Sequence, residues 1–239
     1  MFLRNKLLGI NCYMNSNVLQ YIFVLSFGLS CFSCGESPLP HLVDVEKVIP
    51  RVVIDARYAG NNNFVGLPIN GYLRPRILLT NDAAKALRRV QLEIEKFGFG
   101  LKIFDGYRPQ RAVDHFMRWV AERENTSMKE KFYPRVAKDQ LVPDGYIARK
   151  SGHSRGSSVD LTLIDLASNT ELPMGTVWDF FDPRSFSLSY DVTSAERSNR
   201  LFLRRQMMTA GFLPLAEEWW HFSLRHEPYP NSYFDLPID

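Results

Sequence analysis

The chain has 239 residues, enough for one ordinary domain with a sizeable core. Hydrophobic residues make up 45% of it and charged residues 23%, the balance of a folded globular protein and not of a disordered or fibrous one. The formal charge of +3 is spread along the chain with no long basic block, so no nucleic-acid partner is expected from charge.

Residues 1–34 differ from the rest. Arg4 and Lys6 give a basic start, and VLQYIFVLSFGLSCFSC at 18–34 is mostly apolar, which resembles a secretory signal peptide. The run is short and interrupted for a membrane-spanning helix. Cys34, followed by Gly35-Glu36-Ser37, also looks like a bacterial lipoprotein attachment site, although Cys31 stands where an aliphatic residue is usual. The expectation is an exported protein, periplasmic or held at the membrane by a lipidated Cys34. A cytoplasmic protein with a mis-assigned start, or a retained membrane anchor, is the alternative. Cys12, Cys31 and Cys34 are the only cysteines. Everything after them therefore lacks a disulfide, a thiolate metal site and a cysteine nucleophile, and any metal must be held by His, Asp or Glu.

Residues 35–50 read as a linker, broken by Pro38, Pro40 and Pro50. The folded domain is expected over 51–239. RVVIDARY at 51–58 reads as a strand, followed by a Gly/Asn-rich loop, GNNNFVG, at 60–66. Ala84, Leu87, Val90, Ile94 and Phe97 recur at helical spacing and predict a helix over 81–97, started by Thr80 or Asn81 and stopped by Gly98. GLKIF at 100–104 reads as a strand running into DGYRP at 105–109. Pro109 suits the first position of a second helix, with Ala112, Val113, Phe116, Trp119 and Val120 on one face. VDLTLI at 159–164 alternates as a strand, with Asp160 and Thr162 opposite Val159, Leu161 and Leu163. Thr193 and Glu196 form a capping box for a helix over 194–210 that ends at Gly211. EEWWHFSL at 217–224 reads as a last core strand. Helices and strands mix without strict alternation, which predicts an α+β domain with helices packed on a mainly antiparallel sheet.

The chemistry concentrates in DGYRP at 105–109, SGHSRGSSVD at 151–160 and EWWH at 218–221. His153, Asp160 and His221 offer two imidazoles and a carboxylate, a set that suits a catalytic zinc with one open position. On spacing alone the signal is weak, because a His near an Asp is more often a hydrogen-bonded surface pair. Glu218 could move the proton of an attacking water if it shares that site. In a regular strand, residues three apart point to opposite faces, so Glu218 would have to sit in a turn; a solvated turn before a core strand explains it too. Arg108 is placed to stabilise an oxyanion, or merely to pair with Asp105.

Together with DARYAGNNNFVG at 55–66 and MGTVWDFFD at 174–182, these segments resemble, in order, the motifs of the vancomycin-resistance-type zinc D-Ala-D-Ala dipeptidases. The resemblance implies a single domain with the zinc site in a central cleft, one zinc ion per chain and a small dipeptide substrate. It implies zinc ligation by His153, Asp160 and His221, and acid–base catalysis by Glu218. Arg108 would steady the tetrahedral intermediate, Asp179 would meet the substrate's free amino group and Ser151 its carboxylate. Asp55, Arg57, Tyr58 and Asn63 match the first motif without a certain chemical role. The rival readings are a D,D-carboxypeptidase that trims terminal D-Ala from longer wall peptides, and a non-catalytic zinc-stabilised module that binds wall peptides.

Overall fold

The computed structural model describes residues 39–239, and the signal segment expected over 1–34, with Cys34, lies outside the described residues. Three short strands precede the first long helix: β1 (Leu42–Asp44), β2 (Val53–Ile54) and β3 (Leu78–Thr80). β1 and β3 pair antiparallel as a separate two-stranded sheet. A 3-10 turn follows β1 at Val45–Lys47, capped by the Asp44 carboxylate, and Val45 and Ile49 are buried. The stretch read as linker is thus part of the fold from Leu42 onward. Pro40 and Pro50 flank this strand and turn; neither interrupts a hydrogen-bonded ladder.

The strand expected over 51–58 is reduced to β2. Its chain then turns through a 3-10 segment, Arg57–Ala59. The loop after it is organised by Asn63, a buried side chain that donates to the carbonyls of Gly60 and Leu67 and accepts from the backbone of Val65 and Gly66.

Helix α1 (Asn81–Ile94) starts where expected, with the Thr80 hydroxyl accepting from the Ala83 backbone. It tightens into a 3-10 turn, Glu95–Phe97, and stops at Gly98 in the left-handed region. β4 (Phe99–Asp105) leads to α2 (Gln110–Ala121), with Pro109 at the cap position one residue before the helix. α3 (Lys129–Phe132) is a single turn. β5 (Ser158–Asp165) is the longest strand and is buried on both faces. β6 (Thr170–Glu171) hairpins back on it. α4 (Ser194–Thr209) carries the expected capping box of Thr193 and Glu196. β7 (Phe212–Pro214) and β8 (His221–Leu224) close the domain. The last strand is half the length expected, because Trp219 and Trp220 belong to the turn that precedes it.

The main sheet runs β2-β4-β5-β8-β7, with β6 beside β5. Every pairing is antiparallel except β2 with β4. This is the α+β architecture expected. α1 packs on β4 and on α4, burying Leu87, Val90 and Ile94, and each such side chain contributes about 1.5–3 kcal/mol. An aromatic cluster of Tyr58, Phe64, Phe116, Trp119 and Phe181 fills the space between α2 and the loops, with ring centroids 4.8–6.1 Å apart between neighbours. It forms one wall of the site.

Candidate active site

The register of the sheet lines up three polar residues. Asp105 at the end of β4 pairs with Asp160 of β5, and Asp160 pairs with His221 of β8. Directly opposed residues share a face, so all three side chains project to the same side. His153 comes from a different element, a 3-10 turn at Gly152–Arg155 in which the Ser151 hydroxyl accepts from the His153 amide. Gly156 ends that turn at φ +79°, and a β-carbon there would lie 2.8 Å from a Leu42 methyl, so only glycine lets the chain bend back into β5.

His153 Nε2, His221 Nδ1 and Asp160 Oδ1 form a triangle with sides of 3.0, 3.0 and 3.2 Å. Four ligands at zinc-like bond lengths around a tetrahedral ion stand about 3.3 Å apart, so the triangle has the size of one face of such a site. The protonation pattern points the same way. His153 Nδ1 lies 2.7 Å from the Gly106 carbonyl oxygen, which can only accept, so Nδ1 carries the proton and Nε2 presents its lone pair. His221 Nε2 faces the Ser223 hydroxyl at 3.2 Å, which can take its proton. Whichever tautomer His221 adopts, at most one proton is shared among three acceptor atoms. A cation satisfies all three, and two nitrogens with one oxygen suit zinc; cobalt or nickel would also be accepted.

Burial opposes the Asp160 charge, but the adjacent His153 and His221 outweigh it and hold the carboxyl well below the usual carboxylate range. Its second oxygen accepts from the Trp178 indole at 3.2 Å, an interaction the sequence reading missed.

Glu218 lies in the turn before β8, closed by the His221 amide on the Glu218 carbonyl. That turn resolves the geometric difficulty of residues three apart, and brings the Glu218 carboxylate to 3.9 Å from His221 Nδ1. Burial, reinforced by the charge of Asp160, pushes Glu218 up to about 8. Asp179 is also raised well above its ordinary value, by burial first and Asp160 second. Three carboxyl groups crowded into one pocket are an arrangement that calls for positive charge.

Arg108 meets this need in part. Its Nε and Nη2 bind Asp105 Oδ2 at 2.9 and 2.8 Å, and Nη2 stands 3.6 Å from Asp160. The guanidinium lies over the rings of Tyr58 and Phe116. Among the described residues Nη1 has no protein partner, and Arg108 lines the pocket. The pairing with Asp105 and a role in the site are therefore one arrangement: Asp105, itself fixed by the Tyr72 hydroxyl at 2.7 Å, aims the fork.

Tyr58, which matched a motif without a certain role, donates to Asp179 at 2.7 Å. No sequence spacing signals that bond, because the partners are 121 residues apart. Asp55 and Arg57 lie outside the pocket, in an ion-pair group with Lys102 and Glu171. The pocket itself encloses about 320 Å³. Its walls include Tyr58, Arg108, Ser151, His153, Asp179 and Glu218, so all seven sequence-predicted site residues converge on it, with Asp160 and His221 at its base.

A two-histidine, one-carboxylate site beside a half-buried glutamate and a fixed arginine is the equipment of a hydrolytic metalloenzyme. The chain belongs to the D-Ala-D-Ala dipeptidase family, the M15 peptidases, whose sequence pattern matches residues 40–239. It is 43% identical over 194 residues to a D-alanyl-D-alanine dipeptidase of Enterococcus faecium, covering 81% of this chain and 96% of the relative. The corresponding protein of Streptomyces coelicolor is 45% identical over the same shares. That of Escherichia coli is 35% identical over 197 residues, 82% of this chain and 90% of the relative.

Proposed function

We propose that this chain is a zinc-dependent dipeptidase that hydrolyses D-alanyl-D-alanine to two molecules of D-alanine. The observation that carries the reading is the triangle of His153, Asp160 and His221 with Glu218 in the same pocket, in a chain of this family. Zinc held by the three would supply Lewis acidity, polarising the scissile carbonyl and acidifying water.

The chain's own groups do the rest. Glu218 takes the proton of the attacking water and then delivers it to the nitrogen of the leaving D-alanine. Its elevated proton affinity suits an acid–base role near neutral pH. Arg108, held from behind by Asp105, directs guanidinium protons at the oxygen that gains charge as the carbonyl is attacked. Asp179 receives the substrate's ammonium group, with Tyr58 fixing its orientation. The Ser151 hydroxyl accepts from the His153 amide and keeps its own proton for the substrate carboxylate. Aromatic side chains around the pocket exclude water and strengthen each of these interactions.

Purified protein, zinc-loaded or chelated, should release D-alanine from D-Ala-D-Ala only in the first state, and should not cleave L-Ala-L-Ala. A pentapeptide cleaved as fast as the dipeptide would favour the D,D-carboxypeptidase reading. Zinc-loaded protein that binds wall peptides and cleaves none would favour the binding module.

The basic start and apolar run before Cys34 support export, with the enzyme periplasmic or lipid-anchored. There it would act on dipeptide released in wall turnover. Recovery of the protein wholly from the cytosolic fraction would overturn this part of the reading.

A further inference from the structure

Arg200, on α4, is 2% exposed, and among the described residues no carboxylate lies within ion-pair distance of it. Its guanidinium instead serves backbone carbonyls. Nε donates to Met174 at 2.6 Å, and Nη1 to Arg184 at 2.8 Å and Phe186 at 2.9 Å. Its carbon lies 5.8 Å from the centre of the Trp219 ring. A cation buried without a direct ion pair is costly, and burial, only partly offset by the charge of Glu196 one turn earlier on α4, lowers its pKa to about 10. Packing alone would be served better by an apolar side chain of that size.

The three carbonyls bracket one loop. Met174 is at its start and Arg184 and Phe186 at its end, and its middle carries Trp178 and Asp179. These neighbours reach different parts of the site: the Trp178 indole donates to Asp160, and the Asp179 carboxylate accepts from Tyr58. Asp179 does so from a left-handed backbone, φ +58°, which non-glycine residues rarely adopt. Such a conformation persists only where the surroundings over-determine it. The loop has an internal brace, Ser185 to the Phe180 carbonyl at 2.6 Å, and a tie to the turn before β8, the Trp219 indole to the Thr176 hydroxyl at 2.8 Å. Asn199 of α4 also donates to the Pro173 carbonyl at 2.9 Å, but among the described residues Arg200 alone ties both ends of the loop to the helix from a single side chain. Its planar fork can satisfy carbonyls in different directions, which an ammonium cannot do with the same geometry.

We propose that Arg200 is a positioning residue for the amino end of the site, clamping the 174–186 loop so that Asp179 is held in place to receive the substrate's ammonium group. The role of Asp179 rests on the dipeptidase reading above; the clamp itself does not.

The test compares Arg200→Gln, Arg200→Lys and Asp179→Asn with the wild-type protein on two substrates of equal size. D-Ala-D-Ala carries the ammonium group and D-lactyl-D-alanine has a hydroxyl in its place. The wild type should prefer the first. Arg200→Gln should lower kcat/KM for D-Ala-D-Ala by about 10- to 100-fold, chiefly through KM, as expected for loss of a charge-assisted hydrogen bond. It should change the D-lactyl substrate by less than about 3-fold, and adding it to Asp179→Asn should cost little more. Arg200→Lys should lie between and guards against a Gln variant that fails to fold. Amide exchange in 174–186 should quicken in both Arg200 variants while β5 stays protected. Equal losses on the two substrates, or unchanged exchange in the loop, would overturn the proposal. A wild type that cleaves neither substrate would overturn the dipeptidase reading instead, and the exchange measurement would still decide the clamp.

Discussion

Asp160 and His221 are partners in the ladder between β5 and β8, and their ligand atoms meet at 3.0 Å. The spacing of two of the three proposed metal ligands is therefore set by sheet hydrogen bonds and does not depend on a loop. His221→Ala should fold with little change in its metal-free melting temperature, yet retain less than a tenth of the zinc bound by the wild type after gel filtration. Elemental analysis of the purified variant checks this. Full zinc occupancy would remove His221 from the ligand set.

Glu218 should be separable from metal binding. Glu218→Gln keeps the shape of the side chain and should keep the zinc, while kcat falls by about 10²- to 10⁴-fold, the range for loss of a positioned general base. Steady-state kinetics with metal analysis on the same sample make the comparison. Wild-type turnover in this variant would refute the acid–base assignment.

Trp178 donates to the Asp160 oxygen that faces away from the two histidines. Trp178→Phe preserves the ring packing but removes the donor. Zinc affinity, measured by competition with a chelator, should weaken by about 10- to 100-fold. Undiminished affinity would reduce the indole to a packing role.

The pair of Asp105 and Arg108 makes two distinct predictions. Asp105→Ala removes the nearest partner of a largely buried guanidinium, leaving only Asp160 at 3.6 Å, and should destabilise the fold by about 2–4 kcal/mol, read by denaturant titration. Arg108→Lys retains the charge and loses the fork, so stability should fall less while kcat drops by about 10²- to 10³-fold. A lysine variant with normal kcat would mean that the arginine's role is structural alone.

Asp182 predicts a feature of acid unfolding. Burial opposes its charge, but Arg135 and the backbone and side chain of Arg184 overcome this and hold its pKa below the ordinary carboxylate value. A depressed folded pKa contributes stability that is complete above the unfolded value, about 3.9, and is lost as pH falls through the folded one. Asp182→Asn should therefore cost about 1–3 kcal/mol at pH 7, with the gap to wild type closing as the pH falls below about 4. A gap that stays constant to pH 3 would show that the loss is one of packing.

The helices were legible in the sequence because their signals are local. Thr80 and Gly98 bound the first helical segment, and Thr193 with Glu196 starts the last; each cap involves residues within one turn of the chain. The short strands were not. RVVIDARY and EEWWHFSL have strand-like composition, but only two and four residues of them pair, because pairing depends on which neighbour the sheet supplies. The same reason hid β1 within an apparent linker: its partner, β3, lies more than thirty residues further on.

The site divides along the same line. Residue type and motif order alone supplied the candidates: with no cysteine after Cys34, any metal ligand had to be His, Asp or Glu, and five ordered motifs pointed to His153, Asp160 and His221. What only the tertiary structure decided was mutual geometry. The Asp105, Asp160 and His221 row exists because of strand register, and Glu218 joins it because a turn replaces the expected strand. Tyr58 on Asp179, Trp178 on Asp160 and Arg200 behind both are contacts between segments distant in sequence or between loops without periodicity. Local sequence carries the propensities of single residues and turns; the direction in which a buried polar side chain finds its partner is set by packing of the whole domain.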